Sequence, residues 1–336
     1  NPDIVLADVD MPGLDGFELS AKIKESPETS GVKVLLLAGD FEDFDEKRYQ
    51  ACGANNHISK PFKSDDIVTM VKGLLEGVDD VAAPSDADLG KESSFEPASA
   101  EIIEQAQDQA EAVSEILEKL NKPLLVHGEK VREDIDIFER EKFFIDEELD
   151  VIRHKFINLK IILEHVSSKY GADYVDSNNN IAGTITPHHL MLTKKDVFFD
   201  ESINPHHFCM PVVKTEQDLI ALRKYACSGS NKFFIGTDSA PHHVNSKIPN
   251  LNSKAGIFSS PCSIELYASI FEEENALNQL EKFCSINGPN FYNLPINFDH
   301  IELIRSNWIV PEYTEFKDVK IKNYMGGKEL NWKINQ

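Results

Sequence analysis

Three apolar runs in the second half of the chain each end in a residue that can bind a metal. The runs are LLVHGE, LKIILEHV and KFFIGTDSA, and they place His127, His165 and Asp238 at their ends. Short apolar runs of this kind are typical of buried strands in a parallel sheet. Because parallel strands place their C-terminal ends at one edge, we expect the three side chains to converge. Two imidazoles and a carboxylate suit Zn²⁺ with an open position for water, which favours a metal-dependent hydrolase.

Composition and charge limit the partners of the chain. Its 336 residues carry a formal net charge of -23, which argues against a protein that tracks nucleic-acid phosphates. No apolar run reaches the roughly 18 residues of a membrane span, and no signal peptide opens the chain, so we expect a cytoplasmic protein without membrane contact. The chain begins on Asn1 inside an apparent strand, which predicts a piece of a longer protein.

The cysteines predict reduced thiols that are mostly buried. They are odd in number, widely spaced and free of any CxxC pair, so a disulfide framework or a cysteine zinc site is not expected. The five residues are Cys52, Cys209, Cys227, Cys262 and Cys284.

The pattern of apolar runs divides the chain into three parts, with an α/β fold class in the first and third. Residues 1–76 alternate short strands and helices, which predicts a parallel sheet. Residues 77–112 hold ten acidic residues and one lysine, so we expect a disordered linker followed by a solvated helix. Residues 113–336 form a second α/β pattern. Its five expected strands lie in LLVHGE, LKIILEHV, AGTITPHH, FCMPVV and KFFIGTDSA.

The first part carries polar residues at two strand ends. Asp8 ends IVLAD before a Gly/Pro-rich loop, and Lys60 follows the strand NNHIS. Each feature alone is also typical of a turn. Together, ADVDMPGLDG and SKPF resemble the receiver domain of two-component response regulators, over about residues 1–76. The resemblance implies that Asp8 is the phosphoacceptor, that Asp10 lends a carbonyl to Mg²⁺, and that Lys60 contacts the phosphoryl group.

Two features of the receiver pattern are not found. The family's first strand, with the acidic pair that holds the metal, does not occur in the sequence. Leu37 or Ala38 stands where the family has a hydroxyl residue. Without these groups nothing offsets the developing phosphoryl charge, so we expect poor phosphorylation or none.

The third part contains PLLVHGE, IDIFERE, ITPHHL, GTDSAPH and FCSINGPNFY. These motifs closely resemble the shorter, monofunctional dihydroorotases over about residues 114–336. The resemblance implies the last five βα units of a TIM-type (β/α)₈ amidohydrolase barrel, two zinc ions and a homodimer. It also implies the reversible interconversion of two small molecules of pyrimidine biosynthesis, N-carbamoyl-L-aspartate and L-dihydroorotate.

The same resemblance implies roles for individual residues. His127 and His165 would bind the more exposed zinc. Asp238 would bind the buried zinc and act as general base and acid. The residues implied to contact the substrate are Met210, His242 and Ala255.

A complete site of this type needs further ligands that the sequence does not supply. The family has a His-x-His pair, a following arginine and a carboxylated lysine, and none of the eleven histidines here forms such a pair. Because metal affinity depends on ligand count, we expect little or no activity. Three other hypotheses stay open: a hybrid barrel of three receiver and five barrel units, a misjoined or truncated gene, and a non-catalytic signalling protein read by a partner through Asp8.

Other polar residues of the third part are expected to be structural. Adjacent histidines on a strand point to opposite sides, so at most one of each pair should face the site. Lys214 is expected to be an ordinary loop residue, and Glu164 to face away from His165. The histidine pairs are His188 with His189, His206 with His207 and His242 with His243.

Overall fold

The chain divides into two compact units, Asn1–Pro97 and Ala98–Gln336. A computed structural model of the protein describes residues 3–9, 14–38, 45–59, 70–74, 100–200, 202–317 and 319–335. Within these ranges no helix has the length and apolar character needed to cross a bilayer.

The first unit is built on a three-stranded parallel sheet. Strands β1, β2 and β3 lie side by side in that order, with Asp8 next to Leu37 and Ala38 next to Ser59. The predicted parallel α/β pattern is confirmed for the described residues. The elements are β1 (Ile4–Asp8), α1 (Gly16–Glu25), β2 (Lys33–Ala38), α2 (Glu46–Cys52) and β3 (Asn56–Ser59), followed by helical residues 70–74.

Apolar side chains cover both faces of this sheet. Val34 and Leu36 pack with Phe17 of α1 on one face, and Leu35 packs with helical Met70 on the other. The alternation within β2 therefore buries both faces, as parallel strands require. Helix α1 begins at a capping box. The Asp15 side chain accepts from the Glu18 amide at 2.9 Å, and the Glu18 side chain accepts from the Asp15 amide.

The second unit begins with one long helix and continues as an α/β chain. Helix α3 spans Ala100–Lys119, so it runs through the position at which the acidic linker was expected to end. The following strands are β4 (Leu124–His127), β5 (Ile161–Glu164), β6 (Ile181–Ile185) and β7 (Phe233–Ile235). The helices are α4 (Arg140–Phe144), α5 (Asp150–Lys155), α6 (Lys169–Ser177), α7 (Glu216–Cys227), α8 (Ser263–Glu273) and α9 (Asn287–Tyr292). A π-helical turn, Ile145–Leu149, joins α4 to α5.

The four strands β4 to β7 form one parallel sheet whose spatial order equals their order in the chain. This order requires a crossover between successive strands, and helices supply it, as in βα barrels. The central strands are largely apolar and buried: β6 is buried at every residue, and Ile161, Ile162 and Leu163 of β5 are fully buried. Four of the five runs expected to be strands are therefore confirmed.

The fifth expected strand, FCMPVV, forms no strand. Residues 208–213 form a loop that is buried except at the partly exposed Met210, and the Met210–Pro211 peptide bond is cis. Pro211 has no N–H to donate to a ladder. The carbonyl of Phe208 accepts from the Gly256 amide at 2.9 Å, so this segment pairs with a distant loop.

Two antiparallel strand pairs that the sequence did not predict follow α9. β8 (Leu303–Ile309) pairs with β11 (Glu329–Ile334), and β9 (Tyr313–Phe316) pairs with β10 (Val319–Lys322). β11 lies against helix α8, where Trp332 Nε1 donates to Glu272 Oε2 at 3.1 Å. The five cysteines are free thiols, three of them buried, as predicted.

Candidate functional site

Two of the predicted metal ligands meet at the C-terminal ends of β4 and β5. Nδ1 of His127 lies 3.0 Å from Nε2 of His165, and the rings meet edge to face. On its other side, His127 Nε2 lies 3.1 Å from Glu129 Oε2. Because that carboxylate oxygen accepts, Nε2 of His127 carries a proton, so in the neutral ring Nδ1, which faces His165, is the unprotonated nitrogen.

The backbone at His165 is held in a conformation that non-glycine residues seldom adopt. Its φ is 43°, and Asp238, after β7, has a φ of 41°. Residues in this left-handed region cost energy and cluster at functional sites. The buried His165 amide donates to Thr184 Oγ1 at 2.7 Å, and the next amide, of Val166, donates to the Thr184 carbonyl at 2.9 Å. Two bonds from β6 therefore fix the position of His165.

The carboxylates of Asp238 and Glu164 act electrostatically on His127 and are themselves affected by it. The Glu129 hydrogen bond raises the pKa of His127, and the charges of Asp238 and Glu164 add to it. Desolvation raises the pKa of the Asp238 carboxyl although the residue is exposed, and His127 opposes the shift. Burial and then Asp238 raise the pKa of Glu164. Glu164, which was expected to face away from His165, is paired in register with His127 across β4 and β5.

Burial, together with the charge of the neighbouring His127, lowers the pKa of His165 to about 4. A neutral imidazole at neutral pH is the form that binds metals. The second nitrogen of this ring, Nδ1, is buried and has no hydrogen-bond partner among the described residues. A metal-binding histidine usually donates its other N–H to a partner. His127 has such a partner in Glu129, and His165 does not.

The two histidines supply only part of a metal centre. The two histidine nitrogens converge closely enough to occupy two positions around one ion, whereas a catalytic zinc needs three protein ligands. Within the part of the chain that the structure describes, no group of three or more His, Cys, Asp or Glu residues could hold an ion. These residues therefore fit two positions of a metal centre and do not complete one.

Two of the predicted substrate contacts lie together after β7. Nε2 of His242 is 2.8 Å from the carbonyl of Ala255 and, facing an acceptor, carries the proton. Burial lowers the pKa of His242. The next residue, Gly256, has a φ of +141°, and a Cβ there would lie 2.6 Å from Cβ of Ala240 and 3.0 Å from the His242 ring. Glycine is therefore required for this close approach.

Met210, the third predicted contact, lies in the buried loop 208–213. Cys209 next to it is fully buried, and burial followed by the charge of Asp238 raises its thiol pKa to about 12. Asp238 is therefore close enough to this loop to affect it. The Phe208 carbonyl, on the other side of Cys209, accepts from Gly256, so the Met210 loop is joined to the Ala255 loop.

The histidine pairs do not lie on strands, so the expectation that only one of each pair faces the site has no structural basis. His188 and His189 follow β6 in a turn, and both are buried. Residues 205–207 form a 3₁₀ turn, and 242–243 precede another. His189 is bonded at both nitrogens, to Thr186 Oγ1 at 2.8 Å and to the Pro211 carbonyl at 3.0 Å.

Lys214 was expected to be an ordinary loop residue, and that expectation is wrong. It is buried, and its Nζ donates to Ser167 Oγ at 2.5 Å. Ser167 donates in turn to Glu141 Oε2 at 2.6 Å, and its amide donates to the same oxygen at 2.8 Å. A buried chain of polar groups therefore anchors the turn directly after His165. No local signal in the sequence distinguishes this lysine from an exposed one.

In the first unit, Asp8 is the last residue of β1, at the C-terminal edge of the sheet as predicted. Buried Ala38 ends the neighbouring strand β2 and offers no hydroxyl. The predicted residues Asp10 and Lys60 lie outside the described residues.

Comparisons with known proteins identify both units. Residues 1–72 match the model of the response regulator receiver domain, and residues 90–320 match the model of the amidohydrolase family. The dihydroorotase of Buchnera aphidicola subsp. Schizaphis graminum is 45% identical over 223 residues, which are 66% of this chain and 63% of that protein. The dihydroorotase of Yersinia pestis (strain Pestoides F) is 44% identical over 66% of this chain and 64% of its own. The chain thus spans less than two thirds of the length of these relatives.

Solved structures agree with these matches. The dihydroorotase of Saccharomyces cerevisiae in complex with 5-fluoroorotic acid has a TM-score of 0.63 and 25% identity, covering 99% of this chain and 97% of that one. The dihydroorotase of Campylobacter jejuni has the same TM-score and identity, covering 100% and 96%. The predicted α/β fold class, a TIM-type barrel portion preceded by a receiver-like portion, is confirmed. Amidohydrolases of this kind imply a metal ion, typically zinc. Since the second model covers more than half of the sequence, the chain belongs to the amidohydrolase family.

Proposed function

We propose that the second unit carries part of the active site of a dihydroorotase-type cyclic amide hydrolase. The observation that carries the proposal is the convergence of His127 Nδ1 and His165 Nε2 at 3.0 Å, at the ends of adjacent parallel strands. Dihydroorotases at 44–45% identity support the reaction class. The resemblance to that family implies the substrates, N-carbamoyl-L-aspartate and L-dihydroorotate. Fold alone would not support this assignment, because one barrel fold hosts many reactions.

The proposed roles follow from the chemistry of each group. His127 and His165 hold zinc, which when bound by a complete ligand set lowers the pKa of water towards neutrality. Asp238, whose pKa is raised by desolvation, accepts and returns the proton of the reaction. His242 donates to the Ala255 carbonyl and so orders the segment that would meet the substrate. Met210 offers backbone groups from the adjoining loop.

We further propose that this chain is impaired as a hydrolase. Two converging imidazoles supply fewer ligands than the three of a catalytic zinc site. The absence of a His-x-His spacing among the eleven histidines supports the same conclusion. Loss of ligands lowers affinity steeply, because binding depends on ligand number and geometry.

The test measures zinc binding and turnover on the same preparations. Zinc is titrated by calorimetry into the metal-free full chain, and hydrolysis of L-dihydroorotate is followed at saturating zinc. We expect weak zinc binding that H127A and H165A abolish, and turnover at least ~100-fold below that of the Yersinia pestis relative. The control is H154A, which removes an exposed histidine of α5.

Each outcome decides a different part of the proposal. Zinc affinity unchanged in H127A and H165A would refute the ligand assignment. Turnover equal to that of the relative would refute the impairment and support the hydrolase. A homodimer, implied by the family resemblance, would appear in light scattering as twice the chain mass of 37.8 kDa.

Signalling through Asp8 is a second candidate function. Its support is the receiver model over residues 1–72 and the position of Asp8 at the C-terminal end of β1. The chain is incubated with acetyl phosphate and Mg²⁺, and phosphorylated protein is separated on a phosphate-affinity gel. Because Ala38 ends β2 without a hydroxyl, we expect little or no labelling. Strong labelling that D8N abolishes would instead establish the phosphoacceptor.

A further inference from the structure

One buried lysine binds the backbone on both sides of Ala255 and next to the Met210 loop. Nζ of Lys247 donates to the carbonyl of Lys254 at 2.8 Å and to that of Gly256 at 2.7 Å. A third, longer contact reaches the carbonyl of Phe208 at 3.4 Å. An ammonium group has three protons, so these carbonyls use all of them.

This lysine has no ionic role that would explain its burial. Lys247 is 8% exposed, and among the described residues no carboxylate acts on its charge. Burying an unpaired charge is costly, and groups of this kind persist when they are fully hydrogen-bonded. Three backbone carbonyls from two segments supply that compensation. Hydrogen bonds to these carbonyls therefore replace the water around the ammonium group, and they hold the two segments in a fixed geometry.

The three candidate substrate contacts are connected through these carbonyls. His242 donates to the carbonyl of Ala255, which stands between the two Lys247 acceptors at positions 254 and 256. The Gly256 amide donates to the Phe208 carbonyl at 2.9 Å, two residues before Met210. His189 holds the far side of Met210 through the Pro211 carbonyl at 3.0 Å.

We propose that Lys247 is a positioning residue, which fixes the loops of Met210 and Ala255 at the spacing that an anionic ring substrate requires. The inference rests on the proposed function, because it assigns an occupant to the same site. Positioning matters at this scale, since misplacement by about 1 Å can cost on the order of 100-fold in rate. The same contacts explain why FCMPVV forms a loop, because carbonyls of this segment accept hydrogen bonds from side chains and not from a neighbouring strand.

A second lysine of the chain provides a matched control. Nζ of Lys232 also donates to three backbone carbonyls, including those of Val175 at 3.2 Å and Asn178 at 2.7 Å; the third is that of Asp176. These lie at the C-terminal end of α6, apart from the candidate contacts. K232M and K247M therefore remove the same number and kind of bonds. A purely structural role for Lys247 would make the two variants behave alike.

The experiment compares the full-length wild type, K247M, K247R and K232M by hydrogen exchange and by ligand binding. The ligand is 5-fluoroorotic acid, added in the presence of zinc. Its binding is measured by calorimetry and by the ¹⁹F chemical shift of the bound ring. We expect K247M to speed exchange of residues 206–213 and 253–258 by ~10-fold and to weaken binding by ~10-fold or more. K247R, which keeps donors, should lie between. K232M should speed exchange only near residues 175–180, with binding within ~2-fold of wild type.

The outcomes separate this inference from the proposed function. Unchanged exchange of both loops in K247M overturns the positioning role, as does unchanged affinity and ¹⁹F shift when the wild type binds. If the wild type does not bind 5-fluoroorotic acid, the proposed substrate class fails, while the exchange data still decide whether Lys247 holds the loops. Should K247M not fold, the same comparison between K247R and K232M gives the answer.

Discussion

His188 is predicted to destabilise the protein at neutral pH. The residue is 0% exposed, and neither ring nitrogen has a hydrogen-bond partner among the described residues. Its neighbour His189 is as deeply buried but bonded at both nitrogens. An unpaired buried polar group costs ~1 to 3 kcal/mol, whereas removing a bonded one loses its bonds and strands their partners. The two adjacent histidines should therefore respond to the same substitution with opposite signs.

Replacement by leucine, which is of similar volume, isolates this difference. We expect His188→Leu to raise the free energy of unfolding by about 1 kcal/mol at neutral pH, because it removes unpaired polar atoms and keeps the packing. His189→Leu should lower it by about 2 to 4 kcal/mol, because the Pro211 carbonyl and the Thr186 hydroxyl lose their partner. Urea unfolding followed by tryptophan fluorescence reports on the second unit alone, since Trp308 and Trp332 are the only tryptophans.

The pH dependence gives a second, independent readout. Burial, with His165 and His207 adding to it, lowers the pKa of His188 from 6.5 to about 3. The unfolded state therefore binds the proton first, and stability that is present above pH 6.5 is lost as the pH falls towards 3. Between pH 7 and pH 4.5 this one group accounts for a loss of about 2 to 3 kcal/mol.

That part of the pH dependence should be missing in His188→Leu. The exposed His154→Gln of α5 controls for the loss of one histidine from the unfolded chain. A His188→Leu protein destabilised as much as His189→Leu, with an unchanged pH profile, would show that His188 is bonded and would refute the reasoning.

Two further predictions concern the buried carboxylate behind the His165 turn. Glu141 is 1% exposed and accepts from the Ser167 amide and hydroxyl and from the Ser168 hydroxyl. In urea unfolding, Glu141→Ala should therefore lower the free energy of unfolding by about 3 kcal/mol, and Glu141→Gln should lower it by less. A Cβ at Gly171 would lie 2.5 Å from Glu141 Oε1, whereas one at Gly288 would meet nothing closer than 3.4 Å. Gly171→Ala should therefore lower the melting temperature well below that of Gly288→Ala, and equal effects would contradict the packing argument.

The sequence predicted the strands best where an apolar run ends in a polar residue. His127 ends β4, and His165 and Asp238 follow β5 and β7, because strand formation and burial depend on local hydrophobicity. FCMPVV has the same local pattern and forms a loop. The difference lies in the hydrogen-bond partners of its carbonyls, which accept from the side chains of His189 and Lys247 in other segments. Periodicity contains no information on such contacts.

The two buried lysines near the candidate site also could not be predicted from the sequence. Lys214 and Lys247 are both nine-tenths buried, yet nothing in their neighbouring residues separates them from exposed lysines. Each becomes identifiable only when its acceptors, up to 47 residues away in sequence, are placed around it. The position of Glu164 next to His127 depends in the same way on the register between β4 and β5, which pairs the two residues.

The left-handed backbone at His165 connects these observations to the proposed function. Such a conformation at a histidine persists only where its surroundings determine it. Here Thr184 fixes its amide from β6, and the chain of Lys214, Ser167 and Glu141 fixes the turn that follows. The strain is thus stabilised by contacts within the second unit. By packing and hydrogen bonds the chain consequently holds the two histidines in the arrangement that the proposed metal binding requires, and the impairment that we propose follows from the number of ligands rather than from the precision with which these two are placed.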